Sequence, residues 1–130
     1  IIQIEGRTLG DIARNHVIPT AVKYQNILID NVKGLKDIYG KDFKKYASEQ
    51  LILISEISKR IEAINSGVTK MTNERKKANS INDTTKKAKV YCSKVKPLFH
   101  DIRYHCDKLE LLIDDELWPL AKYRELLFTN

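Results

Sequence analysis

Between Asp42 and Asn79 the apolar residues Phe43, Ala47, Leu51, Ile54, Ile57, Ile61, Ile64, Val68, Met71 and Ala78 recur by threes and fours, with one gap at Arg75. That spacing places them on one face of a 3.6-residue helix. The other face is polar, with Glu49, Glu56, Lys59, Arg60, Glu62 and Lys70. No proline interrupts the run, so it predicts one helix over 42–79, about 57 Å long at the α-helical rise. Gly67 weakens it by about 1 kcal/mol relative to alanine. A stripe of this length needs other elements to bury it.

Two further segments carry matching stripes. Over 8–35 the inward positions are Leu9, Ile12, Ala13, His16, Val17, Ala21, Tyr24, Leu28, Val32 and Leu35. Thr8 and Asp11 resemble a capping box with Asp in place of Glu. Over 84–114 the inward positions are Ala88, Cys92, Val95, Phe99, Ile102, Cys106, Leu109 and Leu112 or Ile113. Pro19 and Pro97 lie well inside these segments, and each removes a backbone donor and clashes with the preceding turn, predicting a kink. Gly34 and Gly40 flank the end of the first segment, with Asp42 placed to cap the next helix. Asn79–Asp83 forms the second turn, capped by Asp83 or Thr84. Short connections force neighbouring helices antiparallel. The pattern predicts an all-α domain over 1–130: an antiparallel three-helix up-down-up bundle with a short C-terminal helix over 120–127.

Composition narrows this picture. The 130 residues are 42% hydrophobic and 31% charged, a balance suited to one soluble domain and too apolar for disorder. No apolar run approaches the roughly 18 residues a membrane helix requires. Glu5 and Arg7 break up Ile1, Ile2 and Ile4, so the N-terminus lacks a signal-peptide pattern. The chain opens on Ile1 and its only methionine is Met71, which reads as a piece cut from a longer chain, starting in mid-element. Cys92 and Cys106 are separated by about 21 Å along one helix, too far for a disulfide. They read as buried, reduced small hydrophobes, which suits a cytoplasmic protein.

The candidate chemistry is sparse. His100 and His105 are about 140° apart around a helix and cannot share an ion as an i, i+4 pair does, while His16 belongs to another stripe. Cys106 and its neighbour His105 point about 100° apart, which gives no nucleophile–base pair. Asp114, Asp115 and Glu116 form the best carboxylate cluster, but at a helix C-terminus they read as a solvated turn pairing with Lys122 or Arg124. Gly6-x-x-x-Gly10 lacks the Lys-Ser/Thr of a phosphate loop. The net charge of +6 concentrates at the tip between the second and third segments: Arg75, Lys76, Lys77, Lys86, Lys87 and Lys89. Such lysines can neutralise phosphates, yet no aromatic lies within the tip to stack on bases. A solvated hairpin end is the simpler reading, with nucleic-acid binding or a pure protein-interaction scaffold as alternatives. No catalytic, cofactor-binding or metal-ligating residue emerges. The tail is unusual: Leu117, Trp118, Pro119, Leu120, Tyr123, Leu126, Leu127 and Phe128 are too apolar for a free terminus.

That tail, Asp114-Asp115-Glu116-Leu117-Trp118-Pro119-Leu120-Ala121-Lys122-Tyr123-Arg124-Glu125-Leu126-Leu127-Phe128, resembles the extreme C-terminus of type III glutamine synthetases. The opening is similar too, in Glu5-Gly6-Arg7-Thr8-Leu9, Asn15-His16-Val17-Ile18-Pro19-Thr20-Ala21 and Tyr24-Gln25, as is Tyr104 followed by Asp107-Lys108-Leu109-Glu110. One departure is Ala121, where the family pattern has proline. The resemblance spans essentially the whole chain and covers the helical region after the catalytic domain. It implies a parent that ligates ammonia to glutamate with ATP and Mg²⁺ or Mn²⁺, a step of nitrogen metabolism, in a large ring-based homo-oligomer. The family's metal, ATP and glutamate residues belong to the upstream domain, so none transfers here. The implied partners are that catalytic domain and neighbouring subunits, with no membrane. Leu117, Trp118, Pro119, Leu120, Tyr123, Leu127 and Phe128 become the candidate interdomain packing residues.

Overall fold

The structure, a computed structural model, describes residues 8–113. Among them there is no strand: the protein is all-helical, with two long helices. A short α1 over 8–12 leads into a wide π-helical turn, Ala13–Val17, and then α2, Ile18–Tyr39. A 3₁₀ turn, Gly40–Asp42, joins it to α3, Phe43–Asn79. Beyond Asn79 come α4 (Thr84–Val90), a second π turn (Tyr91–Val95) and α5 (Lys96–Leu112).

The two π turns and the two prolines have one cause. Ile18 N–H reaches back five residues to the Ala13 carbonyl, and Lys96 N–H reaches back five to Tyr91. Pro19 and Pro97 follow immediately, at the start of α2 and α5. The carbonyls with which their rings would clash, four residues back, belong to Asn15 and Ser93, inside the widened turns. The expected disturbance falls where the sequence placed it, and it takes the form of a π turn at each proline. A wide turn also takes up extra chain, which shifts the phase of the apolar stripe on its N-terminal side. This corrects three expectations: Tyr91 is buried where Cys92 was expected, and Cys92, Ala88 and His16 are exposed.

The end of the first segment also differs. Helix α2 runs through Gly34, which has open space around it, to Tyr39. The reversal falls on Gly40 at φ 58° and ψ −125°, a conformation that suits glycine. The 3₁₀ turn continues directly into α3, with Phe43 N–H on the Gly40 carbonyl, so Asp42 makes no side-chain cap. At the other turn the expected cap is present: Asp83 accepts from Thr85 N at 2.9 Å and Lys86 N at 3.2 Å. Thr8 is already helical, so the start of its helix lies outside the described residues, as do the short helix at 120–127 and the apolar tail.

Helices α2 and α3 run antiparallel, tied by polar contacts along their length. Arg14 donates to Thr69 Oγ1 and the Asn65 carbonyl, Gln25 to the Ile54 carbonyl and Ser58 Oγ, and Gln50 to Asn31 Oδ1. Helix α5 returns along α3 in the opposite sense, with His105 beside Arg60 and Ile102 beside Gly67. One apolar core takes residues from each segment: Ala13, Val17 and Ala21; Ile57, Ile64, Val68 and Met71; Val95, Ile102 and Leu109. Leu51, placed on the stripe by spacing, is exposed, and Leu53 is half-buried instead. Gly67 marks the closest approach: a Cβ built there would stand 2.9 Å from Ile102 Cγ1. The glycine that weakens the helix is what lets α5 pack against it.

Candidate functional site

The densest polar arrangement among the described residues is a seam between α3 and α5. Arg60 is its centre. It holds Glu56, one turn away on its own helix, through contacts of 2.8 Å, and Nη1 lies 2.9 Å from His105 Nδ1 across the interface. The guanidinium stands over the Tyr104 ring, 5.4 Å from its centroid, and Lys108 Nζ approaches the same ring at 5.5 Å. Desolvation opposes the Arg60 charge, but hydrogen bonds to Glu56 and Tyr104 outweigh it and raise its pKa.

Arginine has no lone pair to offer, so His105 Nδ1 must accept and its proton sits on Nε2. That nitrogen faces Asp101 Oδ1 at 3.6 Å. Nδ1 is thus engaged across the interface, and the seam works as a bracket between two helices. Arg60 and Gly67, seven residues apart, lie on the same side of α3. That spacing was the available signal for the seam, and the hydrophobic stripe concealed it.

The other sequence candidates are scattered. Cys106 is buried, and desolvation, followed by the Asp107 charge, pushes its thiol up to about 12, so it stays protonated and unreactive. His100 is exposed on α5 and His16 on the first segment. Among the described residues no group of three or more His, Cys, Asp or Glu stands together as a metal site. In the basic tip, Lys77 pairs with Glu74 at 3.6 Å and Asp83 is committed to its cap. Tyr91 is turned inward, its hydroxyl donating to Asn79 Oδ1 at 2.6 Å, and presents no ring for stacking. A shallow groove lined by Arg14, Glu62, Asn65, Ser66, Thr69 and Lys70 lies on the α3 surface, its arginine already bonded to Thr69. No helix among the described residues is long and apolar enough to cross a membrane. The seven tail residues expected to pack between domains lie outside the described residues.

Comparison with known proteins shows what the chain resembles. The family model described as "Glutamine synthetase C-terminal domain" matches residues 1–36. Over 130 residues, 99% of this chain, the sequence is 47% identical to a protein named glutamine synthetase from Bacteroides fragilis (strain YCH46). The opening of the chain matches the glutamine synthetase C-terminal domain, and nearly its whole length is similar to proteins named glutamine synthetase. A protein named type-3 glutamine synthetase from Dictyostelium discoideum is 24% identical over 98% of the chain. The chain spans only 18% and 17% of the length of those two curated relatives. The resemblance carried by the Ile18-Pro19-Thr20-Ala21 segment falls within the matched 1–36 region.

Proposed function

We propose that this chain is a non-catalytic C-terminal domain of an ATP-dependent glutamate–ammonia ligase of the type III class. Its role is to support packing of the catalytic domain or assembly of a ring-based homo-oligomer. The observation that carries the reading is identity at 47% across 99% of the chain to a protein named glutamine synthetase. ATP and Mg²⁺ or Mn²⁺ would be held by the parent's upstream domain. The polar side chains described here support a structural role: Arg60, Glu56 and His105 are spent on one another, and Cys106 is held as a buried thiol. In this reading the helices form an up-down-up three-helix bundle. Leu117, Trp118, Pro119, Leu120, Tyr123, Leu127 and Phe128 then supply the apolar contact to the catalytic domain or a neighbouring subunit. The cytoplasm, where Cys92 and Cys106 remain reduced, is the matching compartment.

The test uses the intact parent. It should form glutamine only with glutamate, ammonia, ATP and a divalent metal, and Trp118→Ala should shift its sedimentation toward smaller species. A parent without ligase activity sinks the family function. An unchanged oligomer with full activity in Trp118→Ala sinks the packing role of the tail.

A further inference from the structure

The basic tip over 75–89 holds cations without an aromatic residue, but the opposite end of α3 holds both. Over 33–46, where α2 turns through Gly40–Asp42 into α3, five lysines stand against two aspartates. Lys33, Lys36, Lys41, Lys44 and Lys45 are all exposed, as are Asp37 and Asp42. Among them Tyr39 and Tyr46 stack across the turn, ring centroids 4.0 Å apart and 20° from parallel. Neither ring belongs to the apolar core, and they are 43% and 52% exposed. Lys36 Nζ lies 5.6 Å from the centroid of Phe43 beside them. Helix α5 ends at Leu112, about two turns past its His105 contact with Arg60, and so stops short of this end of α3.

The tyrosine pair holds two rings in one orientation at the surface, so little side-chain freedom is left to lose when a ligand stacks on them. Their outer faces accept a flat π system, and the lysines around them accept an array of negative charge. A single-stranded nucleic acid presents both together, because its unpaired bases lie along a phosphate backbone. A duplex keeps its base faces stacked inside. A lipid surface fits less well, since insertion takes a broad apolar helix face. The only exposed large aliphatic side chain over 33–46 is Ile38, and its neighbour is the exposed Asp37.

We propose that the α2–α3 turn binds single-stranded nucleic acid, with bases stacked on the Tyr39–Tyr46 pair and phosphates neutralised by Lys36, Lys41, Lys44 and Lys45. Every base has a π face, so the contact carries no sequence preference. Asp37 and Asp42 oppose the phosphates, which keeps the binding weak and sensitive to salt. The site does not rest on the ligase reading.

The experiment is fluorescence anisotropy of a labelled oligothymidylate of about twelve nucleotides, titrated with the 130-residue chain. Affinity should fall about tenfold or more between about 50 and 200 mM salt, as contact with roughly three phosphates requires. Tyr46→Ala should weaken binding about fivefold or more, while Tyr46→Phe should not, because it keeps the ring face. Lys44→Glu/Lys45→Glu should abolish binding, and Lys76→Glu/Lys77→Glu at the other tip should leave it nearly unchanged. All these positions are exposed, so each variant should keep the helical circular dichroism of the parent chain. No binding at about 50 mM salt overturns the site, as does equal loss in the Lys76/Lys77 variant. Full affinity in Tyr46→Ala, or complete displacement by polyglutamate, leaves charge alone and overturns the stacking. Binding to phosphatidylserine vesicles without binding to the oligonucleotide overturns the proposal in favour of a membrane surface. None of these readouts involves ligase activity, so the site can fail while the functional reading stands, and the reverse.

Discussion

Gly67→Ala is the sharpest probe of how α3 and α5 meet. In an isolated helix the change is favourable by about 1 kcal/mol, because alanine orders less backbone entropy. Here the new methyl would lie 2.9 Å from Ile102 Cγ1 and 3.7 Å from Ile102 Cδ1. Ile102 is 0% exposed, and the clashing atom is close to its β-branch rather than at a flexible tip. Overpacking of this kind costs about 1–3 kcal/mol. The two terms leave a net loss of up to about 2 kcal/mol. Gly34→Ala is the control, since it makes the same substitution inside a helix with nothing within 4 Å of the new Cβ. It should stabilise by about 0.4–1 kcal/mol. Urea unfolding at constant m reads both as shifts in midpoint, downward for Gly67→Ala and upward for Gly34→Ala. The decisive arm is the Ile102→Ala background. That variant alone should lose about 2–5 kcal/mol, and adding Gly67→Ala to it should stabilise, because the obstructing atoms are gone. If Gly67→Ala raises the midpoint in the parent chain as Gly34→Ala does, the close approach of α3 and α5 is refuted.

Two further predictions rest on single groups. Asp83→Ala removes the acceptor for Thr85 N and Lys86 N and should cost about 1 kcal/mol, read in the same urea assay, while Asp42→Ala should leave the midpoint nearly unchanged because Asp42 makes no side-chain cap. A thiol reagent at pH 8 should label exposed Cys92 and leave Cys106 unmodified until the chain unfolds. The folded-state pKa of Cys106, about 12, lies above its ordinary 9.0, so the unfolded chain gives up that proton first. Stability from this group is therefore complete below pH 9 and declines as pH rises toward 12, and Cys106→Ala should show a shallower loss over that window.

The helical content, the two turns and the long uninterrupted α3 could all be read from the chain itself. Periodicity near 3.6 residues, the Gly40 and Asn79–Asp83 punctuation and the absence of proline over 42–79 are local properties, and local propensity decides them. The resemblance to glutamine synthetases was also legible, because motifs such as Ile18-Pro19-Thr20-Ala21 are strings of residues. Pro19 and Pro97 announced a disturbance, but whether a helix answers proline with a break or a wider turn depends on what the neighbouring helices hold in place. The resulting π turns rotated Tyr91 inward and Cys92 outward, a change of phase that no assumption of continuous α-helix can produce. The Arg60–His105 bracket and the Gly67–Ile102 approach join residues 45 and 35 positions apart. Nothing local encodes such pairs, since they arise only when two stripes are brought into one register. Periodicity says which face of a helix is buried, while the partner on that face is chosen by packing, where side-chain volumes must fit without overlap.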